Sequence, residues 1–430
     1  MLNHLRALAF SLCFSLAACS APSALAPARS GDLNALRSAL LQDAQMGRLT
    51  RSSLVRIASA LASHEIDSTK GPEAISRIAQ ARLCARHLTD SLQSRAEQSD
   101  DAGADAAMAL LLADPDSESD DADTWRSSAD SSSPSWRAVG ARTLFRESDG
   151  ELRRKLMQDL DENVRLAAVR ASELAADVSD FPLLLEMGKH DPNNLVRVAA
   201  LRAAAAFPSE AFVLELRDLW THASEPLRQT IVAVWSFPGV LEAGGQRELI
   251  TVAETTDGAP AIIAGGILYR LGQGTKGAGL AALVRGAKSG PARNVVLAMT
   301  MGPLDDPSVL AAILEQAKNP DPTVKVAALS RIARLPSHKD DALNQLRSLA
   351  ASNLPGADQA KGAVARLGDR SVTALLVADS SSPSVEKRLA TMNSFTDLED
   401  WGRVGLFLAD SEAQVRMRAA CQILNASEKW

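Results

Sequence analysis

Aromatic residues are scarce, at 4% of 430 positions and with a single tyrosine, Tyr269. Pockets for flat cofactors concentrate large ring side chains, so an aromatic-lined cofactor site is not expected. An excess of one charge is also missing, since 46 Lys and Arg face 52 Asp and Glu for a net −6. A surface built for nucleic acid carries a basic surplus, so no nucleic-acid partner is expected. Cysteine is rare, occurring at Cys13, Cys19, Cys84 and Cys421 and never as C-x-x-C. His64, His87, His190, His222 and His338 stand far apart and join no metal-binding phrase. No G-x-S-x-G or other nucleophile phrase is present. These absences exclude the familiar catalytic and metal signatures, and the expectation is a non-enzyme with no cofactor and no metal. Hydrophobic residues nevertheless make up 46% of the chain, enough for a core and too many for wholesale disorder.

The first residues read MLNHLRALAFSLCFSLAAC. Arg6 supplies a positive start, and residues 7–18 form an apolar run too short for a permanent bilayer span. Leu16, Ala17, Ala18 and Cys19 then resemble the lipobox of bacterial lipoproteins. In that family the cysteine thiol receives a diacylglyceryl group, the peptide is cut before it, and the new amine is acylated. The resemblance implies lipidation of Cys19, with residues 1–18 a signal peptide. The alternative is an ordinary signal peptide cut at another small-residue site, such as the one ending at Ala26. Several acyl chains anchor stably where one would not. Ser20, in place of aspartate, implies by the same resemblance an outer-membrane destination, with periplasmic or surface orientation open. Residues 19–30, with SAPSALAPARS after the cysteine, lack apolar periodicity and read as a flexible tether.

From residue 131 onward one phrase recurs: a polar turn, an aliphatic residue, a basic residue, then an Ala/Leu-rich helix. Its clearest copy is Asp191-Pro192-Asn193-Asn194-Leu195-Val196-Arg197-Val198-Ala199-Ala200-Leu201. Others surround Arg137, Arg165, Arg228, Lys325 and Arg416, with weaker copies near residues 260, 293, 358 and 385. Arg165 and Arg197 are 32 residues apart and Arg197 and Arg228 are 31 apart, room for two short helices and two turns. Self-similarity at that period denotes a stacked array. Asp191 and Asp321 are expected to cap their helices, with Pro192 and Pro322 at the first helical position.

The D-P-x-x-x-V-[RK]-x-x-A-x-x-A pattern resembles HEAT repeats, in particular the short bacterial type also found in phycobilin-lyase-like proteins. The expected fold is therefore all-α, an α-solenoid of about ten HEAT-like helix pairs over 131–430 behind an N-terminal helical cap region. Residues 31–98 carry three apolar faces: Leu33, Leu36, Leu40 and Leu41; Leu54, Ile57, Ala58 and Leu61; Ile75, Ile78, Ala79 and Leu83. Residues 99–130 hold many aspartates. An EF-hand loop begun at Asp114 would place Ser119 at the glycine position and Trp125 at the bidentate glutamate position, which excludes it. This stretch is expected to be an acidic linker around a short helix at 106–113.

The recurring Arg165, Arg197, Arg228, Arg293, Lys325 and Arg416 have two readings. They could line a groove for an acidic partner, or bond the aspartate or a carbonyl of the adjacent repeat, as similar arginines do in the HEAT family. Recurrence at one register position favours the second. Cys84 and Cys421 sit at opposite ends of a linear array and are expected to remain unpaired, buried thiols. Gly265-Gly266 and the glycines of 272–279 read as a long inter-helix turn, and Trp220, Trp235 and Trp401 as core side chains with a lesser claim to binding.

The functional expectation is a membrane-anchored envelope lipoprotein acting as a protein-binding scaffold. A tetrapyrrole-type lyase or chaperone, and a self-associating structural protein, are the alternatives. The expected partners are envelope proteins and, through the N-terminal lipid, a membrane.

Overall fold

The computed structural model describes residues 23–113, 120–272 and 274–430. Cys19 and the lipobox residues Leu16, Ala17 and Ala18 lie outside the described residues. Among those described, every regular element is a helix and there is no strand. The fold is all-α, of the stacked helical-repeat, solenoid type. Among the described residues two compact units form, one from 23–113 together with 377–430 and the other from within 120–376.

The second unit is built by the repeat phrase. In the Glu162–Ala175 helix, Asp161 accepts from the amides of Asn163 and Val164, and Val164, Ala167, Ala168 and Ala171 are buried. The Asn194–Ala204 helix repeats the register, burying Val196, Ala199, Ala200 and Ala203. The Glu162–Ala175 helix packs on both Pro134–Arg142 and Asn194–Ala204. Alanines at these contacts let the backbones approach closely, and each layer hides its apolar side only against its neighbours.

Capping follows the expected rule at Asp321, which accepts from Thr323 and Val324 with Pro322 in the first turn. At Asp191 it does not. The cap there is Asn193, whose side chain accepts from Leu195 and Val196, so Pro192 precedes the helix. Asp191 is occupied elsewhere, by the arginine of the repeat before it.

The glycines expected as one long turn have a different use. Gly265 and Gly266 lie inside the Ala259–Leu271 helix and are buried. A Cβ on Gly279, in the neighbouring Lys276–Lys288 helix, would stand 2.6 Å from the Gly265 carbonyl oxygen and 2.6 Å from the Tyr269 nitrogen. These glycines permit close helix packing, and of the described residues here only Gly272, Gly274 and Thr275 lie outside the helices.

The first unit joins the two ends of the chain. The C-terminal Ala413–Ser427 helix packs on Arg51–Ser68 and Gly71–Ala81. Cys84 and Cys421, 337 residues apart in sequence, form a disulfide with Cα atoms 5.0 Å apart. The expectation of unpaired thiols is overturned because the N-terminal helices do not stand at the far end of a linear stack. They supply the layer beyond the last repeat.

Three further expectations change in this unit. Residues 25–30, read as tether, form the Leu25–Ser30 helix with Leu25 and Ala28 buried, ended by Gly31 at φ 69°. The acidic stretch contains the Asp101–Ala113 helix, whose Ala102, Ala104, Ala106 and Ala107 are buried, so its aspartates mark one face of a packed helix. The third apolar face is rotated: Ala74, Ile78 and Ala81 are buried while Leu83 is 45% exposed. The Leu54, Ile57, Ala58 and Leu61 face is wholly buried.

Candidate functional site

Three arginines of the repeat phrase, Arg137, Arg165 and Arg388, share one bonding geometry. Arg165 donates Nε and Nη2 to the Asp191 carboxylate at 2.8 and 3.0 Å, and Nη1 to the carbonyls of Asp159 and Leu160. Arg137 does the same to Asp159 and to the carbonyls of Ser131 and Ser132. Arg388 repeats it on Asp410 with the carbonyls of Ser382 and Pro383. Each carboxylate also accepts an amide of its own turn: Asp159 from Asp161, Asp191 from Asn193 and Asp410 from Glu412. One planar guanidinium thus ties two consecutive turns through a bidentate ion pair, a geometry lysine cannot reproduce. The bonds to Asp159, Asp191 and Asp410 hold Arg137, Arg165 and Arg388 above the usual arginine pKa. Burial alone would raise the Asp159 carboxyl, but the bonds from Arg137 and the Asp161 amide bring it below the usual aspartate value.

Arg416 bonds a residue of the N-terminal helices in place of a neighbouring repeat. Its Nη1 keeps the carbonyls of Asp410 and Ser411, and its Nε donates to Glu65 at 2.6 Å. Glu65 belongs to the N-terminal Arg51–Ser68 helix, is 5% exposed, and also meets Arg77 at 2.8 Å. The remaining copies depart from the pattern. Arg197 reaches the Gly188 carbonyl, and Arg228 bonds the Trp220 and Thr221 carbonyls while covering the Trp220 ring at 5.4 Å. Arg293 pairs with Glu225 at the surface, and Lys325 is half-buried. Trp235 is 1% exposed, whereas Trp220 and Trp401 are half-buried.

The candidate binding feature is a cleft of about 690 Å³ whose walls all belong to the first unit. Leu40, Leu41, Val377, Phe395, Leu406 and Phe407 give it apolar walls. Leu41 and Val377, which both line this concavity, are 48% and 47% exposed, so aliphatic surface lies open within it. Arg37, Arg403 and the serines 380–382 form its polar edge. Arg37 donates to the Ala409 carbonyl at 3.2 Å, and Arg403 pairs with Asp400 and stands 5.8 Å from the Phe395 ring centroid. Arg388 and Asp410 close one side with their ion pair. Chemically, this arrangement can take an apolar anchor on its walls and a carboxylate at its edge.

No residue of this cleft is singled out for binding by the sequence. Its walls come from residues 37–41 and 377–411, which only the joining of the chain ends brings together. The one available signal is Leu41, which extends an apolar face already complete with Leu36 and Leu40.

No known protein-family profile matches the chain, and no curated protein matches it. Among solved structures, the chain is similar to Kap121p bound to Nup53p, with a TM-score of 0.35 and 13% identity over 95% of this chain and 54% of that one. It is also similar to Kap121p bound to Pho4p, with a TM-score of 0.34 and 14% identity over 87% of this chain and 48% of that one. The chain spans about half the length of these karyopherin structures. At such scores the likeness carries no argument about what this chain binds.

Proposed function

We propose that this chain is a non-catalytic, lipid-anchored protein of a bacterial cell envelope, tethered through Cys19 to the outer membrane, whose helical-repeat body holds a segment of another envelope protein. The observation that carries the binding role is the cleft of the first unit, where exposed Leu41 and Val377 share a concavity edged by Arg37 and Arg403. A short segment with one or two aliphatic anchors and a flanking carboxylate fits that chemistry, since a few desolvated anchors dominate such interfaces. The exported address is supported by the residues around Cys19 and by the Cys84–Cys421 disulfide, because such bridges persist in oxidising compartments.

The test is site-specific photo-crosslinking in cells from positions 41 and 377, with position 160 in the second unit as the control. Leu160 is fully exposed, at 100%. The expected result is one envelope protein joined from both cleft positions and not from 160, with the adduct lost or reduced in Cys19→Ala. Equal labelling from all three positions, or none, would overturn the cleft as the binding site. A Cys19→Ala protein that stays in the membrane fraction would overturn the anchor.

A further inference from the structure

A second row of arginines runs parallel to the structural ones. Arg142, Arg170 and Arg202 each come five residues after a phrase arginine (Arg137, Arg165, Arg197), on three helices packed in succession: Pro134–Arg142, Glu162–Ala175 and Asn194–Ala204. Unlike Arg137 and Arg165, which each hold a carboxylate from the next turn, this row is short of carboxylates. Arg170 has Glu173 at 3.1 Å, on its own helix and exposed. Arg202 is exposed, and among the described residues it makes no side-chain hydrogen bond or ion pair.

Arg142 is the informative member. Its side chain is nine-tenths buried, with 9% exposure, and its Nε has no hydrogen-bond partner. No ion pair compensates it among the described residues. Burial and then the nearby charge of Arg170 push its pKa down, with Glu173 opposing in part. Desolvating Nε with no hydrogen bond in return weakens the folded state. Three arginines against one glutamate leave a local positive surplus within a chain whose net charge is −6.

We infer that Arg142, Arg170 and Arg202 form a binding surface for an acidic, extended segment of a protein partner. Neighbouring packed helices stand roughly 8–10 Å apart. An extended chain advances roughly 3.3–3.6 Å per residue, so carboxylates at every third residue meet successive arginines. The surface lies wholly in the second unit, and it stands or falls independently of the cleft and of the lipid anchor.

The probe is a fluorescein-labelled peptide repeating Glu-Gly-Ser, compared by anisotropy with the same peptide carrying Gln for Glu. The wild-type protein is expected to prefer the Glu peptide, and the preference fades as salt rises from about 50 to about 300 mM. Arg170→Gln with Arg202→Gln lowers the affinity about tenfold, and Arg202→Lys retains most of it. Arg142→Leu raises the melting temperature, since it removes a buried charge that has no partner in the free protein. Equal binding of the two peptides, or a double variant that binds as wild type does, overturns the proposal. A lower melting temperature for Arg142→Leu overturns it too, by marking Arg142 as a packing residue. Binding to anionic phosphatidylglycerol vesicles without binding to the Glu peptide overturns it in favour of a membrane surface.

Discussion

Replacing both Cys84 and Cys421 by alanine removes a covalent link between sequence-distant parts of the chain. The bridge spans 337 residues of sequence. The chain-entropy relation for a loop of that size gives roughly 5–6 kcal/mol, and native disulfides deliver roughly 2–5, so a loss of about 4 kcal/mol is expected. Both cysteines are almost fully buried, at 2% and 1% exposure, so the lost sulfur contacts add to the loss. The cost falls on the first unit, whose two sequence-distant parts the bridge holds together. With a urea dependence of about 2 kcal/mol per molar, the midpoint of that unit's transition drops by about 2 M. Far-UV circular dichroism in urea measures it, and the wild type in reducing agent should approach the double variant. Non-reducing peptide mapping provides the direct check. The reasoning is refuted if no peptide joins Cys84 to Cys421, or if the midpoints of variant and wild type coincide.

The ion pairs and close helix contacts set three more expectations. Glu65→Gln leaves Arg416 and Arg77 short of a buried counter-charge and should cost about 3–5 kcal/mol in chemical denaturation; a loss below about 1 kcal/mol, the size of a surface pair, would contradict the buried triad. Gly279→Ala should destabilise by about 1–3 kcal/mol, because its Cβ collides with backbone of the Ala259–Leu271 helix. Gly277→Ala, two residues away on the same helix with nothing within 4 Å, should be neutral or stabilising by up to about 1 kcal/mol, so thermal melts of the two variants must diverge. Asp159 and Asp369 have folded pKa values below the usual aspartate value, with burial opposing and their arginine and turn-amide bonds prevailing. Their contribution is therefore present above the unfolded value of about 3.9 and lost as pH falls through the lower folded values. The melting temperature should be flat between about pH 7 and pH 5 and fall below about pH 4, with a shallower fall in Asp159→Asn; a decline starting near pH 6 in both proteins would assign the effect to histidine instead.

The repeat phrase makes much of the second unit legible. Its polar turns mark helix starts, its Val and Ala spacing marks the buried side, and three of its basic residues, Arg137, Arg165 and Arg388, each bridge two turns. Even there the pattern misleads at Asp191. Aspartate before proline favours a helix cap, but the carboxylate also lies within reach of Arg165 from the previous repeat, and Asn193 is left to cap. Gly265 and Gly279 mislead for a related reason. Glycine is compatible both with a turn and with close helix contact, and only the neighbouring backbone distinguishes them. The buried Arg153, bonded to Asp180 at 2.6 Å and to Asp177 at 3.0 Å, lies outside the phrase, and no sequence signal singles it out.

Helix content, repeat period, the caps and the buried register are properties of short windows, because they depend on neighbours within a few turns. The sequence by itself therefore determined an all-α repeat protein; it favoured arginines bonded between repeats without deciding which ones, and Arg165 is so bonded while Arg197 and Arg293 are not. The layer beyond the last repeat is not a short-window property. Arg416 carries the same phrase as Arg165, yet its carboxylate comes from Glu65, 351 residues earlier. The Cys84–Cys421 bridge and the cleft between residues 37–41 and 377–411 share that origin. Only the tertiary structure decided these, because whether the end of a stack finds its next layer in solvent or in its own N-terminus depends on packing between distant helices, which no local pattern encodes.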